Sequence, residues 1–288
     1  MDIDVTLTPS LIAAALVELA LLLAGCWLLW RHALSPAARA RHPVGLAAWR
    51  LPAFPFMGIA ATVMVGGLLG QLALTGLAAR IAPALYAGHD FNLLVAGAGF
   101  QLGMLVAAVG GALFARRLVV PELVEPAPPP APRRSVGSNV LAGAVTFLCA
   151  LPVVTAVSLA WNAVLRVFGI EPEPQDLVDL LLHPESSVTV GVMFVLATVV
   201  APVTEELIFR AGLFRFLRTR LPRFWALALP AVLFGILHGS VAAFMPLVAL
   251  GAIFALAYER TGSILVPITA HSIFNLNTIL LVVAGVSA

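Results

Sequence analysis

Six ionisable or amide side chains stand close together in otherwise apolar stretches of the second half of the chain: Glu205, Glu206, Arg210, His238, His271 and Asn275. They fall in three short runs, Thr204-Glu205-Glu206-Leu207-Ile208-Phe209-Arg210, Phe234-Gly235-Ile236-Leu237-His238 and His271-Ser272-Ile273-Phe274-Asn275. Helical spacing divides their roles. Glu206 and Arg210 are four residues apart and meet on one helix face as an ion pair. Arginine keeps its charge and clamps a carboxylate with two N–H groups, which makes Glu206 a structural strut. Glu205 points about 100° away around the helix and has no arginine four residues on. It is the freer carboxylate, the one open to proton transfer. His271 and Asn275, again four apart, project into one cavity. Pro202 and Pro267, shortly before these groups, bend or loosen their helices and open room there. The bland alternative is a polar network that only fixes helix positions. Against it, several buried polar groups without a task would each cost stability.

The elements that must position these groups follow from composition. Of 288 residues, 61% are hydrophobic and 10% charged, and the mean hydropathy is +1.04. A soluble domain carries about a quarter charged residues, so this chain lacks a polar coat and must be solvated by lipid. An ordinary soluble enzyme and a disordered chain are both excluded. All 16 basic residues are arginine, and the net charge of +2 is too small and too scattered for a nucleic-acid surface.

A membrane crossing needs about 20 apolar residues. Charge-free stretches predict eight helices, at roughly 11–30, 55–79, 91–115, 138–165, 188–214, 224–239, 241–258 and 263–285. The uncharged run 224–258 is too long for one helix, and Gly239-Ser240 breaks it. The expected fold is therefore an all-α polytopic transmembrane bundle of about eight spans. The acidic start, Met1-Asp2-Ile3-Asp4, has no basic n-region and argues for a retained first helix.

Arginines set the orientation. Arg31, Arg39, Arg41 and Arg50 follow helix 1, Arg116, Arg117, Arg133 and Arg134 follow helix 3, Arg215, Arg218, Arg220 and Arg223 follow helix 5, and Arg260 follows helix 7. The alternate loops hold His89-Asp90 and the acidic 171–185 segment. Both termini are thus expected outside and the arginine loops in the cytoplasm, with Arg80 and Arg166 as exceptions. Residues 121–136, rich in proline, read as an extended linker between an N-terminal three-helix region (1–120) and a five-helix core (137–288).

Elsewhere little carries chemistry. Glu18 is the one ionisable group in the N-terminal spans and is expected to face a bundle interior or polar cavity. His32, His42, His89 and His183 sit in or beside loops and read as solvated. Gly66-x-x-x-Gly70 and Gly99-x-x-x-Gly103 read as helix contacts. Cys26 and Cys149 form no C-x-x-C pair and read as small apolar packing residues.

Glu-Glu-x-x-x-Arg (205, 206, 210), then Phe-x-x-x-His (234, 238), then His-x-x-x-Asn (271, 275), in that order on membrane helices, resembles the CPBP family. Its members are CAAX prenyl endopeptidases and bacteriocin-processing or self-immunity (Abi) membrane proteases. The stretch Glu259-Arg260-Thr261-Gly262-Ser263-Ile264 also looks like that family. The resemblance covers roughly residues 137–288 and leaves the first 120 residues without an implied role. It implies intramembrane peptide-bond hydrolysis with no serine or cysteine nucleophile. Carried across, Glu205 and His238 activate a water, His271 and Asn275 stabilise the oxyanion, and Glu206, Arg210 and Phe234 give structural support.

No resident cofactor is favoured. Glu205, His238 and His271 offer three ligands to a divalent metal such as zinc, yet the chain has no H-E-x-x-H helix. The expected partners are membrane lipid and a peptide or membrane-protein substrate. A lysine-free, alanine- and arginine-rich chain points to a bacterial cytoplasmic membrane and away from prenylated substrates. Depth raises a difficulty: His238 lies 15 residues after Arg223, about 22 Å along a straight helix. It matches the depth of Glu205 only if helix 6 is tilted, starts outside the bilayer or breaks at Pro230. Two other classes compete, a catalytically silent scaffold or immunity protein of the same fold, and a transporter. The transporter is weakened by the missing inverted repeat.

Overall fold

The computed structural model describes residues 8–40, 46, 51–118, 135–171 and 186–285. Eight long helices dominate these residues, and no strand occurs among them: α1 (Pro9–Leu34), α2 (Ala53–Ile81), α3 (His89–Leu118), α4 (Val136–Val167), α5 (Ser187–Arg218), α6 (Arg223–Leu237), α7 (Phe244–Thr261) and α8 (Leu265–Val283). All except α6 are long and apolar enough to cross a membrane. The chain is an all-α, multi-pass membrane bundle. Residues 119–134, most of the expected linker, lie outside the described residues, as do His42, His183, Arg41, Arg50, Arg133 and Arg134.

Helix starts follow local capping chemistry. The hydroxyls of Thr8, Ser135 and Ser186 accept from the backbone N–H of Leu11, Ser138 and Thr189 at 3.1–3.2 Å, opening α1, α4 and α5. The break between α6 and α7 comes from Gly239, whose φ of +67° is left-handed and ends α6. A turn follows before α7 begins at Phe244, three residues later than the apolar pattern suggests. Trp161 of α4 holds this turn by donating from Nε1 to the Val241 carbonyl at 2.7 Å.

The main core lies between α4, α7 and α8, where Phe147, Ala150, Leu151, Val154, Leu250, Phe254 and Ala270 pack together. Leu21 and Leu22 of α1 pack against the same core. A second cluster, Phe214, Ala226, Ala255 and Tyr258, joins α5, α6 and α7. Helices α2 and α3 form a tight hairpin whose backbones touch at Gly66, Gly70, Gly99 and Gly103, as the small-residue spacing predicts. The hairpin leans on α5 through Leu94 and Met193.

Several arginines converge at one end of the bundle. Arg218 and Arg223 bracket the buried Glu259 carboxylate at 2.7 Å each. Arg220 donates to the Leu51 carbonyl, and its guanidinium lies 3.8 Å from the Phe216 ring centroid. Arg260 reaches the His32 carbonyl at 3.4 Å. The ends of α1, α5 and α7 and the start of α2 are tied together there.

Candidate active site

Helix α5 carries both glutamates and departs from α-helical winding on either side of them, with π-helical turns at Leu196–Val200 and Leu207–Phe214. Such turns are rare and widen a helix locally. Their effect on the first is traceable to Pro202. The Ala201 N–H bonds the Leu196 carbonyl, five residues back. In the same register the Ala197 carbonyl would receive the N–H that Pro202 lacks. Asn275 of α8 fills the gap, donating from Nδ2 to Ala197 O at 2.8 Å. The asparagine thereby joins α8 to α5, and its second N–H remains for another acceptor.

Glu206 is fully buried, and its Oε1 accepts from Arg210 Nη1 at 2.8 Å and from His271 Nδ1 at 2.9 Å. Arg210 is also buried, and Nη2 donates to the Gly251 carbonyl of α7 at 3.2 Å. A glycine leaves room for this approach: a Cβ at position 251 would stand 3.1 Å from Ala231 Cα and 3.4 Å from Arg210 Nη2. Aromatic faces enclose the guanidinium, with its carbon 4.6, 5.5 and 5.9 Å from the ring centroids of Phe234, Phe254 and Phe209. Each ring lends some cation–π attraction to a charge held away from water. The i, i+4 ion pair read from spacing is thus present, and His271 joins it.

Glu205 turns away from this pair, as its place on the helix requires. Its Oε1 accepts from Gln101 Nε2 of α3 at 3.2 Å. Its Oε2 is buried, lacks a hydrogen-bond donor among the described residues, and lies 3.9 Å from His271 Nε2. His271 therefore stands between the two carboxylates, bonded to one and facing the other. A carboxylate beside Arg210 only accepts, so Nδ1 carries the proton given to Glu206, and Nε2 is the nitrogen presented to Glu205.

His238 sits at the C-terminal end of α6 and is exposed. Its Nδ1 is 2.7 Å from the Phe234 carbonyl. The centroid of its ring lies 4.5 Å from that of Phe234, which in turn lies 6.0 Å from that of His271. Phe234 is fully buried and touches both imidazoles. Helix α6 runs unbroken through Pro230, so the break offered as one way to set the depth of His238 does not occur. With 15 residues it is about 22 Å long, less than the ~30 Å of a hydrocarbon core. It starts at the Arg223–Glu259 pair, and its last turn brings Phe234 beside Arg210 and His271.

The structure thus gathers Glu205, Glu206, Arg210, Phe234 and His271 into direct contacts, brings His238 in through Phe234, and ties Asn275 to the Ala197 carbonyl of α5. Of the three ligands offered to a divalent metal, Glu205 and His271 face each other. Among the described residues no three His, Cys, Asp or Glu side chains converge as a metal would require. Two polar partners escape the sequence reading. Gln101 bonds Glu205, and Asn277 of α8 donates from Nδ2 to Glu18 Oε2 at 3.2 Å. Both are uncharged, so a search for charges within spans passes over them; an amide in an apolar run is the signal that finds them.

A multi-pass membrane bundle with a carboxylate–imidazole pair held inside it is the class of protein that this fold and site define. Residues 187–277 match the family model of the type II CAAX prenyl endopeptidases, Rce1-like. The matched stretch contains all seven residues of the three motifs, and the resemblance to the CPBP family stands. The chain is also 32% identical over 141 residues to "Putative membrane peptidase YdiL" of Bacillus subtilis (strain 168). That alignment covers 49% of this chain and 55% of the relative, so the chain spans about half the length of the curated protein it matches. No solved structure matches.

Proposed function

We propose that this chain is a glutamate-dependent intramembrane endopeptidase of the CAAX-protease type. The observation that carries the reading is Glu205 Oε2, a buried carboxylate oxygen without a donor, 3.9 Å from His271 Nε2. That separation is too long for a direct hydrogen bond and suits a water bonded to both. Glu205 takes one proton of the water as its oxygen attacks the scissile carbonyl carbon, with His238 completing the water's hold from the α6 side. The carbonyl electron pair moves onto oxygen. The second N–H of Asn275 donates to that oxyanion, and so does His271 Nε2 when the ring is an imidazolium whose Nδ1–H is held by Glu206. Collapse of the tetrahedral intermediate breaks the C–N bond, and Glu205 returns its proton to the leaving amine. Glu206, Arg210 and Phe234 hold the frame.

In this scheme water, lipid and the peptide are the only participants. The substrate is a membrane-embedded or lipid-tethered peptide, with CAAX-type and bacteriocin-related sequences as the first classes to try. The convergence of arginines at one end of the bundle favours a bacterial cytoplasmic membrane with the site opening to the cytoplasm. The test is a comparison of membrane peptides from cells producing the wild type and Glu205→Ala at equal levels. New termini that vanish with Glu205 support the reading. Identical peptide sets in both strains turn it toward a silent scaffold.

A further inference from the structure

We propose that Gln101, on the α2–α3 hairpin outside the matched family segment, is a positioning residue for Glu205. The inference rests on reading Glu205 as the proton acceptor. A glutamate carboxyl group rotates almost freely about its last torsion, so burial alone does not fix which oxygen faces the reacting water. Gln101 Nε2 ties Oε1 at 3.2 Å, and this leaves Oε2 on the side of His271 Nε2, 3.9 Å away. The carboxylate only accepts, so the amide must present its nitrogen. The site then has two supports of parallel design: Glu206 fixes the ring of His271, and Gln101 fixes the plane of Glu205. Gln101 lies two residues from Gly103, where the backbones of α2 and α3 touch. A merely structural tie between hairpin and core is not its task alone, because Leu94 and Met193 already pack the two together. Helix α3, one of the three that the motifs leave without a role, thus supplies one side of the site.

The test uses the full chain with Gln101→Met, which keeps the length of the side chain and removes its donor. A small displacement of a reacting group costs up to ~100-fold in rate. The expected result is a 10–100-fold slower release of the Glu205-dependent peptides from isolated membranes, with an unchanged Tm in detergent. Infrared spectroscopy supplies a second readout that needs no substrate. The carboxylate band identified as lost in Glu205→Gln should shift in Gln101→Met. A wild-type release rate, an unmoved band, or a slowed rate accompanied by a fall in Tm overturns the proposal. If Glu205→Ala leaves the released peptides unchanged, the endopeptidase reading itself falls and removes the positioning role with it.

Discussion

Glu206 Oε1 and His271 Nδ1 lie 2.9 Å apart, and the same oxygen receives Arg210 Nη1 at 2.8 Å. One buried carboxylate oxygen therefore joins α5 to α8 and holds the charge of an arginine that also reaches α7. It sets the ring orientation of His271 as well, so the strut of the fold and the alignment of the site are one interaction.

Removing Arg210 should accordingly be a stability defect before it is a kinetic one. Arg210→Ala leaves Glu206 as a buried charge whose main partner is gone, a change that costs roughly 3–5 kcal/mol. The expected outcome is a clear drop in Tm in detergent and in membrane yield. Replacing both groups, Glu206→Met with Arg210→Met, should cost less than Arg210→Ala alone, because no charge is stranded. A double variant less stable than the single one would contradict this account.

Glu205, His238 and His271 predict a kinetic defect, which at Glu205 and His238 comes without a loss of stability. Alanine at each should lower peptide release by about 100-fold or more, the scale of general acid–base assistance. His238→Ala should leave Tm unchanged, since the side chain is exposed and bonds only its own helix among the interactions described. Glu205→Ala should unfold little for a similar reason, as it loses a single hydrogen bond to Gln101. Proteolysis retained by purified Glu205→Ala protein would exclude the proposed chemistry.

Much of this arrangement is legible in the sequence because charge is scarce within the spans. Each helix could be located from a charge-free run, and the i, i+4 spacing of Glu206 and Arg210 led directly to their ion pair. What escaped depends on contacts between distant segments. Nothing local tells that Gln101 meets Glu205, or that Asn277 meets Glu18. The π-helical turns escaped too, although Pro202 marks the place where a carbonyl must find another donor. Helix α7 starts three residues later than the apolar run predicts, because such a run does not show the turn that follows the left-handed Gly239.

Glu259 and its two arginines allow an asymmetric test of the arginine-rich end. The carboxylate is 3% exposed, while Arg218 and Arg223 are 36% and 48% exposed. Glu259→Ala frees two cations that can turn to water or headgroups, and a loss of about 1–3 kcal/mol is expected. Arg218→Ala with Arg223→Ala instead leaves a buried carboxylate without either partner and should cost more. Thermal unfolding of the two proteins side by side decides the order, and equal losses would mean that burial of Glu259 is unimportant.

Gly103 offers the last prediction, because it links packing to the site. A Cβ there would collide with the Gly66 carbonyl oxygen and stand 2.9 Å from Gly66 C and 3.0 Å from Gly70 Cα. These are backbone atoms, so relief requires α2 and α3 to move apart. Overpacking of this kind costs about 1–3 kcal/mol. Gly103→Val should therefore lower Tm, and by displacing α3 it should also draw Gln101 away from Glu205. Gly76, beside which a Cβ meets nothing within 4 Å, is the control on the same hairpin: Gly76→Ala should leave both Tm and peptide release unchanged. If Gly103→Val lowers Tm but releases peptides at the wild-type rate below its melting range, the hairpin is only an appendage. If release falls well below that point, the N-terminal hairpin is part of the working enzyme.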